Sequence, residues 1–191
     1  MLQAKAEDRL SLLQADSILR LPISEVDRAG LLAGLLKASA TENDVLGDDY
    51  ALHQLDALGR NAAAHRILID AMADRYKAQL ESDRRTAMSH FTDLLKLVNA
   101  SALTEAEAEK RIRELYPVFM QNQVPNDLFC DALRALTDRY NISKNIAPVI
   151  RDWASEQVQE KLNGARDQQA MISGITKVWD ILEIPVEDRF R

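Results

Sequence analysis

Between Gly59 and Gly164 the chain has no glycine, and its prolines there are confined to Pro117, Pro125 and Pro148. Glycine and proline are the residues that interrupt helices. Apolar residues in the same stretch recur every three to four positions, which is the helical period. The combination predicts an all-α fold: a multi-helix bundle of seven or eight helices with no convincing strand. It also removes the glycine loops on which many motif-bearing catalytic folds depend.

The segments can be read in order. Residues 3–20 place Leu10, Leu13, Ser17 and Ile18 on one helical face, and Leu21-Pro22-Ile23 ends that helix, because Pro disfavours helix in the residue before it. Ser24 and Asp27 have the form of a capping box for a helix reaching about Ser39. Within it, Gly30 and Gly34 lie one turn apart, a spacing that in a soluble chain reads as two backbones packed closely inside the core. Residues 41–49 are an acidic connection. They fail the calcium-loop pattern, since Leu46 and His53 stand where ligands belong. A short helix near 49–59 closes at Gly59.

Residues 62–99 form the longest periodic segment. Neither Gly nor Pro breaks it, and Glu81 can pair with Arg85 one turn on, so one continuous helix is predicted. At roughly 1.5 Å per residue it would be about 57 Å long. A compact chain of this size has a radius of gyration of about 16 Å, so an elongated molecule built around a central helix is expected.

Thr104 and Glu107 make a second, stronger capping box, opening a helix to about Leu115 that Tyr116-Pro117 ends or kinks. Pro125-Asn126-Asp127 begins the next, which reaches Tyr140, with Asn141 suited to a left-handed close. Ser143 can cap a short turn, and Pro148 suits the first turn of a helix to Leu162. Asn163-Gly164 is a stop before a last helix over about 165–182. The expected organisation is a single all-helical domain over 1–183 and a tail over 184–191.

The formal charge is −6, with 28% charged and 47% apolar residues. That balance argues against membrane residence and disorder, and it gives no overall electrostatic footprint for nucleic acid. The longest apolar run, Ala29 to Leu36, is far short of the ~20 residues that cross a bilayer. Lys5, Glu7, Asp8 and Arg9 stand where the apolar core of a signal peptide would be. The single Cys130 cannot form an intrachain disulfide and suits a reducing compartment, so a cytoplasmic location is expected. Arg exceeds Lys, and Ala and Leu are abundant, which points to a GC-rich bacterial or phage coding sequence.

Chemistry-bearing motifs are missing. The residues three before His53, His65 and His90 are Tyr50, Ala62 and Ala87, so the Glu-x-x-His of di-iron bundles is absent. There is no His-Glu-x-x-His, no cysteine pair and no phosphate-cradling loop, and neither metal nor cofactor is expected. His90 with Asp93, or His65 with Asp70, has the form of a general base and an orienting acid, but chance pairs of this kind are common in a charged chain. Cys130, set in an apolar helix face, reads as a small buried hydrophobe.

Residues 136–153 resemble a helix-turn-helix, with Asn141-Ile142-Ser143 as the turn. Pro148 inside the reading helix opposes this, as do Asp138 and Asp152, which offset Lys144 and Arg151. The functional expectation is a non-enzymatic module that binds another protein, as an adaptor, assembly chaperone or regulatory subunit. A nucleic-acid-binding regulator using 136–153 is the alternative, and an enzyme with a site assembled from scattered residues is a second. Self-association is compatible with the sequence. The expected docking residues are Val118, Phe119 and Met120, three successive large apolar side chains between Pro117 and Pro125, together with Phe190 in the tail.

Overall fold

The computed structural model describes residues 14–38, 48–161, 168–186 and 189, and no strand occurs among them. Its helices are α1 (14–19), α2 (Glu25–Ala38), α3 (Asp48–Ala57), α4 (Ala62–Ser82), a 3-10 turn (Arg84–Thr86), α5 (Ala87–Ala100), α6 (Glu105–Phe119), α7 (Asp127–Tyr140), α8 (Ser143–Lys161) and α9 (Gln168–Ile181). The all-α prediction holds, and the helices pack as a bundle. Among the described residues no helix is long and apolar enough to cross a membrane. The chain divides into two compact units. One comprises Met1–Gln79 with Ala100–Leu103, the other Leu80–Asn99 with Thr104–Arg191.

In the first unit, Ser24 caps α2: its hydroxyl accepts from the Asp27 N–H at 3.1 Å and donates to the Asp27 carboxylate at 2.6 Å. Helix α2 then buries Ala29, Leu32, Ala33 and Leu36 along one side. Gly59 closes α3 at φ +67°, a left-handed conformation that carries a steric cost for residues with a Cβ. Asn61 starts α4, its side chain accepting from the Ala64 N–H at 3.1 Å. A buried His65 secures the Ala100–Leu103 segment to this unit, accepting at Nδ1 from the Ala102 N–H at 2.9 Å.

The continuous helix predicted over 62–99 is not formed. Helix α4 ends at Ser82, and Asp83 leaves helical geometry at φ −146°, ψ 100°. The Glu81–Arg85 pair inferred from spacing is replaced by a nearer partner. Asp83 accepts from the Arg85 backbone N–H and Nε at 2.9 Å each, and from its second guanidinium nitrogen at 3.0 Å. A short acidic side chain that bonds backbone two residues on offers the chain an alternative to helix. Those hydrogen bonds from Arg85, side chain first, hold the Asp83 carboxyl below the usual aspartate range.

In the second unit α6 packs on α8, and both α7 and α8 pack on α9. The capping box at Thr104 is complete: the hydroxyl accepts from the Glu107 N–H, and the Glu107 carboxylate accepts from the Thr104 N–H at 2.9 Å. Asn126 caps α7 through the Phe129 N–H at 2.9 Å, and Asn141 closes it in the left-handed region at φ 50°. Two boundaries differ from the sequence reading. Helix α6 runs through Pro117 to Phe119, and α8 runs from Ser143 through Pro148 without a separate first turn. Each proline lacks an N–H for the carbonyl four residues back, and those residues, Arg113 and Lys144, are exposed. Water can satisfy the freed carbonyls there, so the helices continue. Gly174 in α9 is required by close approach: a Cβ there would lie 2.9 Å from the Pro125 carbonyl oxygen.

Beyond α9, Glu183 takes a left-handed φ of 54°, and the Ile184 N–H donates back to the Trp179 carbonyl at 3.0 Å. This is the six-to-one bond of a Schellman close. Ile184 is buried, and Arg189 donates to its carbonyl at 2.9 Å and to Asp180 at 2.6 Å.

Candidate functional site

The three neighbours Val118, Phe119 and Met120 are separated by the structure. Phe119 and Met120 have no exposed surface, whereas Val118 is 42% exposed. Phe119 stacks on Phe91 at 5.6 Å between centroids, and Phe91 also meets Tyr116 edge-on at 5.7 Å and Phe129 at 5.8 Å. Met120 gives its carbonyl to the Trp153 indole N–H at 2.9 Å. The last turn of α6 solves the problem of three adjacent apolar side chains by turning two inward and leaving one at the surface. Of the three, only Val118 presents surface to solvent. Phe190 lies outside the described residues.

Four titratable groups, His65, Asp93, Cys130 and Tyr116, have structural surroundings that can be described. His65 is buried and bonded at both ring nitrogens. Because Nδ1 accepts from Ala102, the proton sits on Nε2, which donates to the Leu55 carbonyl at 2.9 Å. Asp93 pairs with Lys96 at 3.2 Å. Cys130 is buried, and that burial, the largest influence on it, pushes its thiol above the ordinary value. Burial also raises the Tyr116 phenol well above its usual range. Among the described residues no three His, Cys, Asp or Glu side chains converge as a metal site. In the helix-turn-helix-like segment, Leu136, Ile142, Ile146, Ile150 and Trp153 are core, and Pro148 lies inside α8.

The feature that the sequence reading missed is on α2. Gly30 and Gly34 were expected to seat a second backbone inside the core. Instead both are exposed, and a Cβ built on either meets nothing within 4 Å. The physical reason is that the buried side of α2 already belongs to Ala29, Leu32, Ala33 and Leu36, whose stripe is centred about 130° from the glycines on the helical wheel. The outward face carries Val26, Gly30, Leu31, Gly34 and Ala38, all exposed, with Leu31 at 47%. Next to it lies a shallow groove, widely open to solvent, of about 650 Å³ between α1 and α2, lined by Gln14, Ser17, Ile18, Leu31, Gly34, Leu35 and Ala38. Leu21 and Ile23, in the turn between the two helices, are also exposed.

A signal for this face was present in the sequence. Ala29 to Leu36 is uncharged over eight residues. A helix with one side on a core needs a stripe, and a helix apolar all round needs a neighbour on its other side too.

No protein-family model matches the chain, no curated protein matches it in sequence and no solved structure matches it.

Proposed function

We propose that the protein is a non-enzymatic helical module that works by docking another polypeptide on the outer face of α2 and the adjoining α1–α2 groove. The observation that carries this is the uncovered apolar face: Leu31 stands 47% exposed beside two glycines with open space above them. Exposed apolar surface that is contiguous, flanked by polar residues and shaped as a groove is the usual mark of a binding site. Glycine at the floor lets an incoming helix approach closely. The structural engagement of His65 and the buried state of Cys130 support a non-enzymatic reading. An adaptor, assembly chaperone or regulatory subunit in a reducing, cytoplasmic setting fits these features.

The test compares wild type with Leu31→Glu as baits in an extract of the native host, with thermal melts of both as the fold control. Leu31 is exposed on its own chain, so at low protein concentration, where association adds nothing, the variant keeps its melting temperature. Proteins retained by wild type and lost by the variant support the reading. An identical retained set overturns it.

A further inference from the structure

Resting on that reading of the α2 face as a docking surface, we propose that its occupant is a second copy of the same face, in an antiparallel two-fold pair. The outward residues of α2 are distributed symmetrically along the helix. Gly30 and Gly34 are centred on position 32, and so are Asp27 and Lys37. All four are exposed. A two-fold axis level with Leu32 runs the second α2 in the opposite direction. It sets Gly30 against Gly34 of the second copy, and Asp27 level with Lys37 of the second copy. Both relations then occur twice, as closed symmetry requires.

The charges are complementary only in this antiparallel sense. Asp27 lies in the first turn of α2 and Lys37 in the last, about 15 Å apart at 1.5 Å per residue. A parallel pair would set Asp27 beside Asp27 and Lys37 beside Lys37. An antiparallel pair opposes unlike charges at both ends and also cancels the two helix dipoles. The centre is uncharged and small, so the backbones can approach closely. Leu31 lies one position from the axis and about 80° from the midline of the two glycines, on the side facing the groove. The same symmetry places it beside Leu31 of the second copy. Each leucine then covers the mouth of the groove that the other lines, and the pair excludes water from the centre.

The test is sedimentation equilibrium on the full chain as wild type, Asp27→Lys, Lys37→Glu and an equal mixture of the two variants. Circular dichroism of each variant checks that the helix is retained. Wild type is expected at twice 21.5 kDa. Each variant alone opposes like charges at both ends and is expected to dissociate at least about tenfold more readily. The mixture is expected to recover the dimer, because a mixed pair restores unlike charges at both ends. A monomeric wild type, unchanged association of the single variants, or no recovery in the mixture overturns the second-copy assignment. If wild type is monomeric yet binds a different protein in a Leu31-dependent way, the second-copy assignment fails and the docking reading stands. If no association depends on Leu31, both fail.

Discussion

Trp153 donates its indole N–H to the main-chain carbonyl of Met120 at 2.9 Å, tying the middle of α8 to the end of α6. That bond sits beside the ring cluster of Phe91, Tyr116, Phe119 and Phe129. Phe119→Ala removes a ring with no exposed surface and leaves a cavity, so it is expected to cost about 3–5 kcal/mol. Trp153→Phe keeps most of the volume and loses the hydrogen bond and part of the edge contact, about 1–2 kcal/mol. Chemical denaturation of the two variants measures both. A Phe119→Ala protein as stable as wild type would return that residue to the list of surface anchors.

The glycines of α2 and α9 are expected to respond in opposite directions to the same substitution. Gly30→Ala and Gly34→Ala place a methyl in open space within a helix, which stabilises the fold by roughly 0.5–1 kcal/mol each. Gly174→Ala drives a Cβ to 2.9 Å from the Pro125 carbonyl oxygen, a backbone atom that cannot swing aside. It is expected to destabilise by about 1–3 kcal/mol. Thermal melts at low protein concentration, where self-association adds nothing, check the three signs.

His65 is the polar tie of the first unit. His65→Leu leaves the half-buried Ala102 N–H without its partner and removes one of two donors from the Leu55 carbonyl, which keeps the Leu58 N–H at 3.2 Å, at about 1–3 kcal/mol in all. The assigned tautomer is open to direct inspection. Nitrogen NMR of the imidazole at neutral pH is expected to show the proton on Nε2. A proton on Nδ1 would contradict the Ala102 bond.

Asp127 and Lys177 form an exposed pair at 2.5 Å, linking the start of α7 to α9. The hydrogen bond from Lys177 holds the Asp127 carboxyl below its ordinary value. A carboxyl lowered in the folded state adds stability above its unfolded pKa and loses it as pH falls through the folded value. The expected window for any loss therefore lies on the acid side of the normal aspartate range, and its size is small because both groups are solvated. Carbon NMR titration is expected to show Asp127 titrating lower in wild type than in Lys177→Ala. Identical titrations would mean the pair does not form in solution.

The sequence made local helix ends more legible than the contacts between helices. Thr104 with Glu107, and Asn126 with Asn141, are local signals whose partners lie within four residues, and each capping or closing position is where spacing placed it. The break at Asp83 was less visible, because nothing in the pattern says whether Arg85 will bond Glu81 or Asp83. Whether Phe119 faces in or out depends on Phe91, twenty-eight positions earlier and on another helix, which periodicity within α6 does not report. The α2 face was written in the sequence as a paired glycine in an uncharged run. Sequence alone shows that such a face wants a neighbour. Only the packing of Ala29, Leu32 and Leu36 shows that the neighbour is not the core.

The most direct test of the α2 assignment is oxidative cross-linking of Leu31→Cys. The chain has one native cysteine, Cys130, which is buried with its thiol pushed up, so it stays unreactive under native conditions. If Leu31 meets its own copy across a two-fold axis, the Cα atoms of the two introduced cysteines are expected within the roughly 4.4–6.8 Å that a disulfide tolerates. Mild oxidation of the folded variant is then expected to give a covalent dimer of about twice the 21.5 kDa chain, in much lower yield once Lys37→Glu is added. A Leu31→Cys protein that remains monomeric under oxidant while still folded would contradict the account.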